Sequence, residues 1–425
     1  MPSISRRELL GGGAALLAAS GAPRIARGGS SPPSNLVVVF AIGGWDTTYS
    51  IDGKLGLPGI EGPEVDRGAD PDDVDEVETF GGIPIVVNDV RRPEVGRFFR
   101  NHHQRSLLVN GVFCGAIGHD LARGRMLTGT DSPSRPDLTV MFGVERSPDL
   151  PVAAFDLSTY QLTGEYASST ARLATRDQLA RLIDPVGLPP TAPVGRTYPL
   201  WSPSDAQEAA MNAFTARRVD GMRARWGEGG HNDRRLDAEL EAADRAVRLR
   251  EIGREVVLDA PLHIIQRVPL ALDLLTSGAT RSILMHHEDF DTHYETAGQN
   301  RLQDEFFLGL SMLADGLDER GLLDDTLVMV VSEMTRSPMR NAFDGKDHWP
   351  HTNALFFGGG IVGDRVLGGT NGIQESLPID LATGERWDGG TLLRHDQLIA
   401  GTLAGLGVDP ARWLPGVTPW GGLLA

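Results

Sequence analysis

Five places in the sequence gather side chains that bind metals. The densest is "HHEDFDTHYE" (286–295), with three histidines, two aspartates and two glutamates directly after the apolar run Ile283-Leu284-Met285. "GKDHWPHTN" (345–353) adds Asp347, His348 and His351. Asp46 follows Gly43-Gly44, His119 is followed by Asp120, and Glu333 stands three residues before Arg336. Imidazoles with carboxylates suit zinc, manganese or iron, and carboxylates suit calcium or magnesium. A divalent metal is therefore expected, and zinc, calcium, magnesium and manganese are not distinguished. Asp291 and His293 are two residues apart, so in extended chain they share a side and can reach one ion. Asp289, nearer the strand, has a supporting place. His286 and His287 read as strand residues, one face buried and one exposed. Metals held this way can stabilise the oxygens of a phosphoryl or sulfuryl group in displacement.

The elements that must position these groups are legible as well. "NLVVVFAIGGWD" (35–46), "SLLVNGV" (106–112), "RSILMHH" (281–287) and "DDTLVMVVSEM" (324–334) are continuous apolar runs, the pattern of strands buried on both faces in a parallel sheet. "NALFFGGG" (353–360) is a further strand, and "GHDLARGRMLTGT" a turn into a helix. Residues 299–320 place Leu302, Phe306, Leu310, Leu313 and Leu317 on one helical stripe, which makes a β-α-β unit between the third and fourth strands. "LLRHDQLIAGTLAGLGV" (392–408) reads as a late helix, and residues 53–82 as an acidic, solvated loop. Residues 202–258 predict an inserted helical hairpin, capped by Ser202-Pro203 with Asp205 and broken at "GEGGHND". Open α/β sheets bind ligands beyond the carboxyl ends of their strands, which is where four of the five groups fall.

Composition narrows the function. The chain has 425 residues, 40% apolar and 23% charged, with a net charge of −17. Residues 1–30 carry Arg6, Arg7, Arg24 and Arg27 against Glu8, so the chain beyond them is near −20. Such a surface repels phosphate backbones and excludes nucleic acid as a partner. Cys114 is the single cysteine, so an intramolecular disulfide and a thiolate metal site are both excluded. "SRRELLGGGAALLAASGA" sets Arg6-Arg7 before an apolar run, Leu9 to Ala19, that is too short to span a bilayer and fits an export signal. Residues 1–30 are thus expected to be a signal and linker, and 35–425 one α/β body with the insertion. No second segment is long enough to span a membrane. The arginine pair resembles the twin-arginine signal, which implies that export machinery as a partner and a periplasmic or extracellular location.

Gly44-Trp45-Asp46, "DFDTHYE", "LVMVVSEMTRSP", "GKDHWPHTNALFFGGGIVGDRVLGG" and "DPARWLPGV" together resemble an exported bacterial family, domain of unknown function 1501, related to sulfatases and alkaline phosphatases. The resemblance covers roughly residues 35–415. It implies an alkaline phosphatase/sulfatase-like α/β fold, a mostly parallel sheet flanked by helices. Carried over by position, it implies Asp46, Asp291, His293, Glu333 and His348 as metal ligands. Asp289, Asp347 and His351 would be their supports. His119, Arg123 and Arg336 would take the catalytic places, with an arginine neutralising the substrate anion. The sequence departs from the pattern at Gly118-His119, where relatives place a hydroxyl or its neighbour, so the attacking group would have to be water. "Ser-Glu-Met" at the end of the fourth strand, in place of Asp-His, implies one metal rather than two. The expected function is metal-dependent hydrolysis of a small anionic sulfate or phosphate ester. The alternative is a non-catalytic exported binding or assembly protein on the same scaffold.

Overall fold

The computed structural model describes residues 31–158, 160–172, 204–226, 229–253 and 263–423. The export signal expected at 1–30 lies outside these residues, as do the Ser202-Pro203 cap and the end of the hairpin beyond 253.

Thirteen strands are present among the described residues: β1 Asn35–Ala41, β2 Glu76–Phe80, β3 Ile83–Val87, β4 Ser106–Phe113, β5 Ala154–Asp156, β6 Thr170–Arg172, β7 Ser282–His287, β8 Thr326–Ser332, β9 Thr335–Arg336, β10 His348–Trp349, β11 His351–Gly358, β12 Arg365–Gly368 and β13 Leu393–Arg394. Nine of them form one sheet in the order β12-β4-β11-β8-β1-β7-β5-β6, with β13 beside β4. Strand β1 is central, and both β7 and β8 pair with it in parallel, Val38 lying opposite Leu284 and Met329. The expected β-α-β unit therefore exists with β1 seated between its two strands. Only β11 runs against the others, antiparallel to both β4 and β8.

Each apolar run is buried on both faces because helices cover both. Val37, Val39, Ile283, Met285, Val328 and Val330 face one core. There they meet the helices Ile264–Thr276 and Gln299–Glu319 and helix α1 (Pro93–His102). Leu36, Val38, Phe40, Leu284, Leu327 and Met329 face the other core, under helices α2 (His119–Thr128) and α3 (Leu138–Arg146) and the helix His395–Gly405. The alternation is the period of two that a pleated strand imposes. The predicted stripe on Gln299–Glu319 is buried throughout. His286 and His287 are buried as well, on opposite faces, which corrects the expectation that one would be exposed. Burial pushes His286 down to about 2 and His287 to about 3.

The hairpin is present as Asp205–Trp226 and His231–Gly253. Its break uses Gly229 and Gly230 at φ of 94° and 89°, a left-handed turn that costs glycine little. Ser204 stands just before the first helix: its Oγ accepts from Gln207 N at 3.4 Å, while Ser204 N donates to Gln207 Oε1 at 2.9 Å. Arg248 Nη1 ties the second helix to the body through the Asp149 carbonyl.

Candidate metal centre at the sheet edge

Strands β1, β4, β7 and β8 are parallel, so their carboxyl ends share one edge of the sheet. Strand β11 is antiparallel, so it begins at that same edge, and the residues just before it arrive there too. This is why a late histidine, His348, meets residues from the segments after β4 and β7. Gly43 closes the junction: its φ is 110°, and a Cβ there would stand 2.4 Å from Asp291 N. Only a glycine lets β1 and the segment after β7 approach this closely.

Three imidazoles surround the Asp291 carboxylate. His119 Nε2 is 3.3 Å from Oδ2, while His293 Nε2 and His348 Nε2 are 3.2 and 3.3 Å from Oδ1. Each ring is held from behind through Nδ1. His119 Nδ1 donates to Glu333 Oε1 at 2.9 Å, His293 Nδ1 to Asp347 Oδ1 at 3.2 Å, and His348 Nδ1 to the Ile117 carbonyl at 2.5 Å. Carboxylates and carbonyls only accept, so these bonds assign the proton to Nδ1. Neutral rings then turn Nε2 lone pairs toward a carboxylate and, for His293 and His348, toward each other at 2.8 Å. Lone pair against lone pair is repulsive unless a proton or a cation lies between. His119 Nε2 is buried and makes no hydrogen bond. Ligand atoms of His119, Asp291 and His348 all lie within 4.8 Å of one another, the one such group among the described residues. The donor set, nitrogen and oxygen with backing acceptors on each ring, fits a divalent metal.

Electrostatics follow from the same contacts. The Glu333 hydrogen bond raises the His119 pKa above the usual imidazole range; burial opposes this, and the charges of Glu333 and Asp291 add to it. Burial by itself would raise Asp291, but the Arg336 hydrogen bond and charge, with His119 and His293, hold it below the carboxylate range. Burial lowers His348. The Asn341 hydrogen bond leads in lowering Asp347.

Several expected residues take other places. Glu333 is fully buried and accepts from Gly43 N, His119 Nδ1 and Ser332 Oγ, so it orients a ligand instead of being one. His119, expected in a catalytic place, stands among the ligands. Arg336 is fully buried, donating to the Gly43, Gly44 and Lys346 carbonyls and at 2.5 Å to Asp291 Oδ1. It fixes Asp291, and four of its five N–H groups are engaged within the protein. Asp46 does not join the group: Oδ1 accepts from Thr48 N and Oγ1, and Oδ2 meets Lys346 Nζ at 2.6 Å in a fully buried pair. His351 points to Ser376 Oγ at 2.7 Å and not to His348, whose backing comes from Ile117. Asp289 is exposed in the left-handed region, at φ 76°. Arg123 lies one helical turn beyond His119, its guanidinium 4.5 Å over the Tyr160 ring and 2.5 Å from Asp120. Lys346 was missed, although it sits in the quoted "GKDHWPHTN"; a lysine among ligands reads as surface charge until its carboxylate partner, 300 residues away in sequence, is known.

Sequence and structure comparisons bear on the family. A family described as "Protein of unknown function (DUF1501)" matches residues 202–385. No curated protein matches the sequence. Among solved structures, the PsFucS1 sulfatase from Pseudoalteromonas sp. is similar at 11% identity and a TM-score of 0.40, covering 93% of this chain and 72% of its own. BT33336S-sulf of Bacteroides thetaiotaomicron is similar at 12% identity and a TM-score of 0.40, over 93% and 82%. A protein in the alkaline phosphatase superfamily from Vibrio parahaemolyticus gives 9% identity and a TM-score of 0.35, over 91% and 71%. Residues 202–385 hold three of the five motifs read in the sequence, the histidines 293 and 348 among them, and they match the family of unknown function that those motifs resemble.

Proposed function

We propose that the protein is an exported, metal-dependent hydrolase of small sulfate or phosphate esters that holds one divalent ion. The observation that carries this reading is the convergence of three Nε2 atoms on the Asp291 carboxylate, each ring fixed from behind by an acceptor. His119, Asp291 and His348 would hold the ion, with His293 beside them. Bound there, the ion would supply Lewis-acid stabilisation of the ester's oxygens. Glu333 and Ile117 O keep His119 and His348 in the tautomer that binds. Arg336 keeps Asp291 ionised and aimed. Arg123 lies four residues after His119, and its present partners are the exposed Asp120 and the Tyr160 ring. No helix among the described residues is long and apolar enough to cross a membrane, which fits release after export through the Arg6-Arg7 signal.

One observation favours the second reading, a non-catalytic binding or assembly protein. Gly118 caps α2 with no side chain, so no hydroxyl stands at that helix start to act as a covalent nucleophile. The deciding experiment measures metal content after purification without added metal, then turnover of 4-nitrophenyl sulfate and 4-nitrophenyl phosphate by wild type and His348→Ala. The hydrolase reading expects metal near one per chain, lost with His348, and turnover lost with it. Metal without turnover on any ester supports the binding protein.

A further inference from the structure

A cleft of about 410 Å³ opens beside the metal centre, lined by His293, Tyr294, Asn341, Ala342, Phe343 and Asp347. His293 belongs to both, so whatever fills the cleft touches the ligand cluster. Tyr294 and Phe343 are 68% and 63% exposed, which is unusual for two large rings side by side on a strongly acidic protein. Their centroids are 5.2 Å apart at 52°. The platform is braced rather than loose. Glu295 N donates to the Phe343 carbonyl and Thr296 N to that of Asp344, Tyr294 bridges Asp344, and Asn341 Nδ2 donates to the His293 carbonyl. On the other side of His348, Ile117 bonds the ring through its carbonyl and leaves its side chain 59% exposed. Of the carboxylates near this rim, Asp344 is paired with Arg340 and Asp120 with Arg123, while Asp347 lines the cleft and, among the described residues, meets only the His293 ring and Asn341.

Resting on the hydrolase reading, we propose that the substrate is an aryl monoester, with a single anionic head at the metal centre and an uncharged aromatic ring packed on the exposed faces of the Tyr294–Phe343 pair. Ring faces and edges prefer one another in offset or tilted contacts at 4.5–7 Å, and an open pair at this tilt leaves a face for a third ring. The Asp347 carboxylate, which lines the cleft, opposes a second anionic group on the leaving portion, so polyanionic esters are disfavoured there.

The test is binding, measured by ligand-observed NMR on metal-loaded protein with 4-nitrophenyl phosphate, 4-nitrophenyl sulfate and their methyl counterparts. Wild type should bind each aryl ester about tenfold more tightly than its methyl counterpart, two aromatic contacts at roughly 0.5–1.5 kcal/mol each. Tyr294→Ser/Phe343→Ser, at exposed positions, should remove that preference while leaving methyl ester binding and metal content unchanged. His348→Ala should weaken both esters together. Equal binding of aryl and methyl esters by wild type overturns the proposal, as does a double variant that keeps the preference. A double variant that turns a dimer into a monomer without altering ester binding also overturns it, because the rim is then an interface between copies. If aryl preference is found and no ester turns over, the hydrolase reading fails and this site remains.

Discussion

Replacing Lys346 by methionine should destabilise the protein by about 3–5 kcal/mol, because it strands a buried charge. Lys346 Nζ and Asp46 Oδ2 are 2.6 Å apart, and both side chains are fully buried. Asp46 Oδ1 accepts from Thr48, a neutral partner, and Lys346 is the cation paired with the carboxylate among the described residues. Methionine has about the lysine stem's length and fills the space, so lost packing adds little. The companion Asp46→Asn/Lys346→Met removes both charges and keeps an acceptor for Thr48. It should recover most of the loss, since well-packed neutral replacements of buried pairs are often near neutral. Urea denaturation of wild type, the two single variants and the double variant gives the coupling energy directly. The same four proteins decide the place of Asp46, because metal content of the folded double variant should equal that of wild type. A single Lys346→Met loss below about 1 kcal/mol would refute the buried-pair argument. Loss of metal in the folded double variant would refute the conclusion that Asp46 stands outside the centre.

Further outcomes follow from other contacts. Glu333→Gln should lower metal affinity about 10–100-fold by releasing the His119 tautomer, checked by metal titration; unchanged affinity would mean that His119 needs no backing. Metal should also bind more weakly as pH falls, because Glu333 raises the His119 pKa and a proton then competes for Nε2, so the apparent dissociation constant should fall as pH rises through that raised value. His286 and His287 stay neutral in the fold down to about 2 and 3, while the unfolded chain protonates them near 6.5. Stability is therefore complete above pH 6.5 and should fall by about 1.4 kcal/mol per pH unit for each ring below it. Replacing both with phenylalanine should flatten that slope in denaturation measured from pH 7 to 4.5. Arg6-Arg7→Lys-Lys should leave the chain in the cytoplasm, checked by fractionation, and normal export of that variant would remove the twin-arginine reading.

The sheet was legible because each core strand is a continuous apolar run, and a run such as Leu36 to Ala41 has no stable place except between two layers of helices. The positions of Asp291, His293 and His348 were legible because polar ligands directly beyond buried strands have few structural uses. Which groups touch was not legible, because that depends on partners far apart in sequence. Asp46 and Glu333 have the right chemistry at the right edge. Lys346 satisfies one of them, and Gly43 N, Ser332 and His119 satisfy the other. Arg336 likewise looked like an anion receptor until four acceptors were found around its guanidinium. His286 and His287 misled through their surroundings: polar at the strand's end, yet covered on both faces by Tyr160 on one side and Phe290 and Phe306 on the other.

Charge explains why the centre needs a cation before it can receive an anion. Asp291 and Glu333 bring two formal negative charges, and Arg336 returns one. With neutral imidazoles the cluster is net negative, and Asp347 stands behind His293 to deepen that field. A sulfate or phosphate monoester would be repelled from such a site. A divalent ion among His119, Asp291 and His348 reverses the sign, and the Nε2 lone pairs that oppose one another become its ligands. The ammonium of Lys346 cannot do this, because it is buried against Asp46 and its charge is spent there. Ester binding should therefore depend on metal far more steeply than folding does, since the sheet and its two cores are built without it. A chelated protein that keeps its unfolding midpoint to within a small shift, yet loses affinity for 4-nitrophenyl phosphate by about tenfold or more, is the expected result in denaturation and NMR titration run side by side. Equal ester affinity with and without metal would mean that the three imidazoles receive the anion as protonated donors, and the metal assignment would fall.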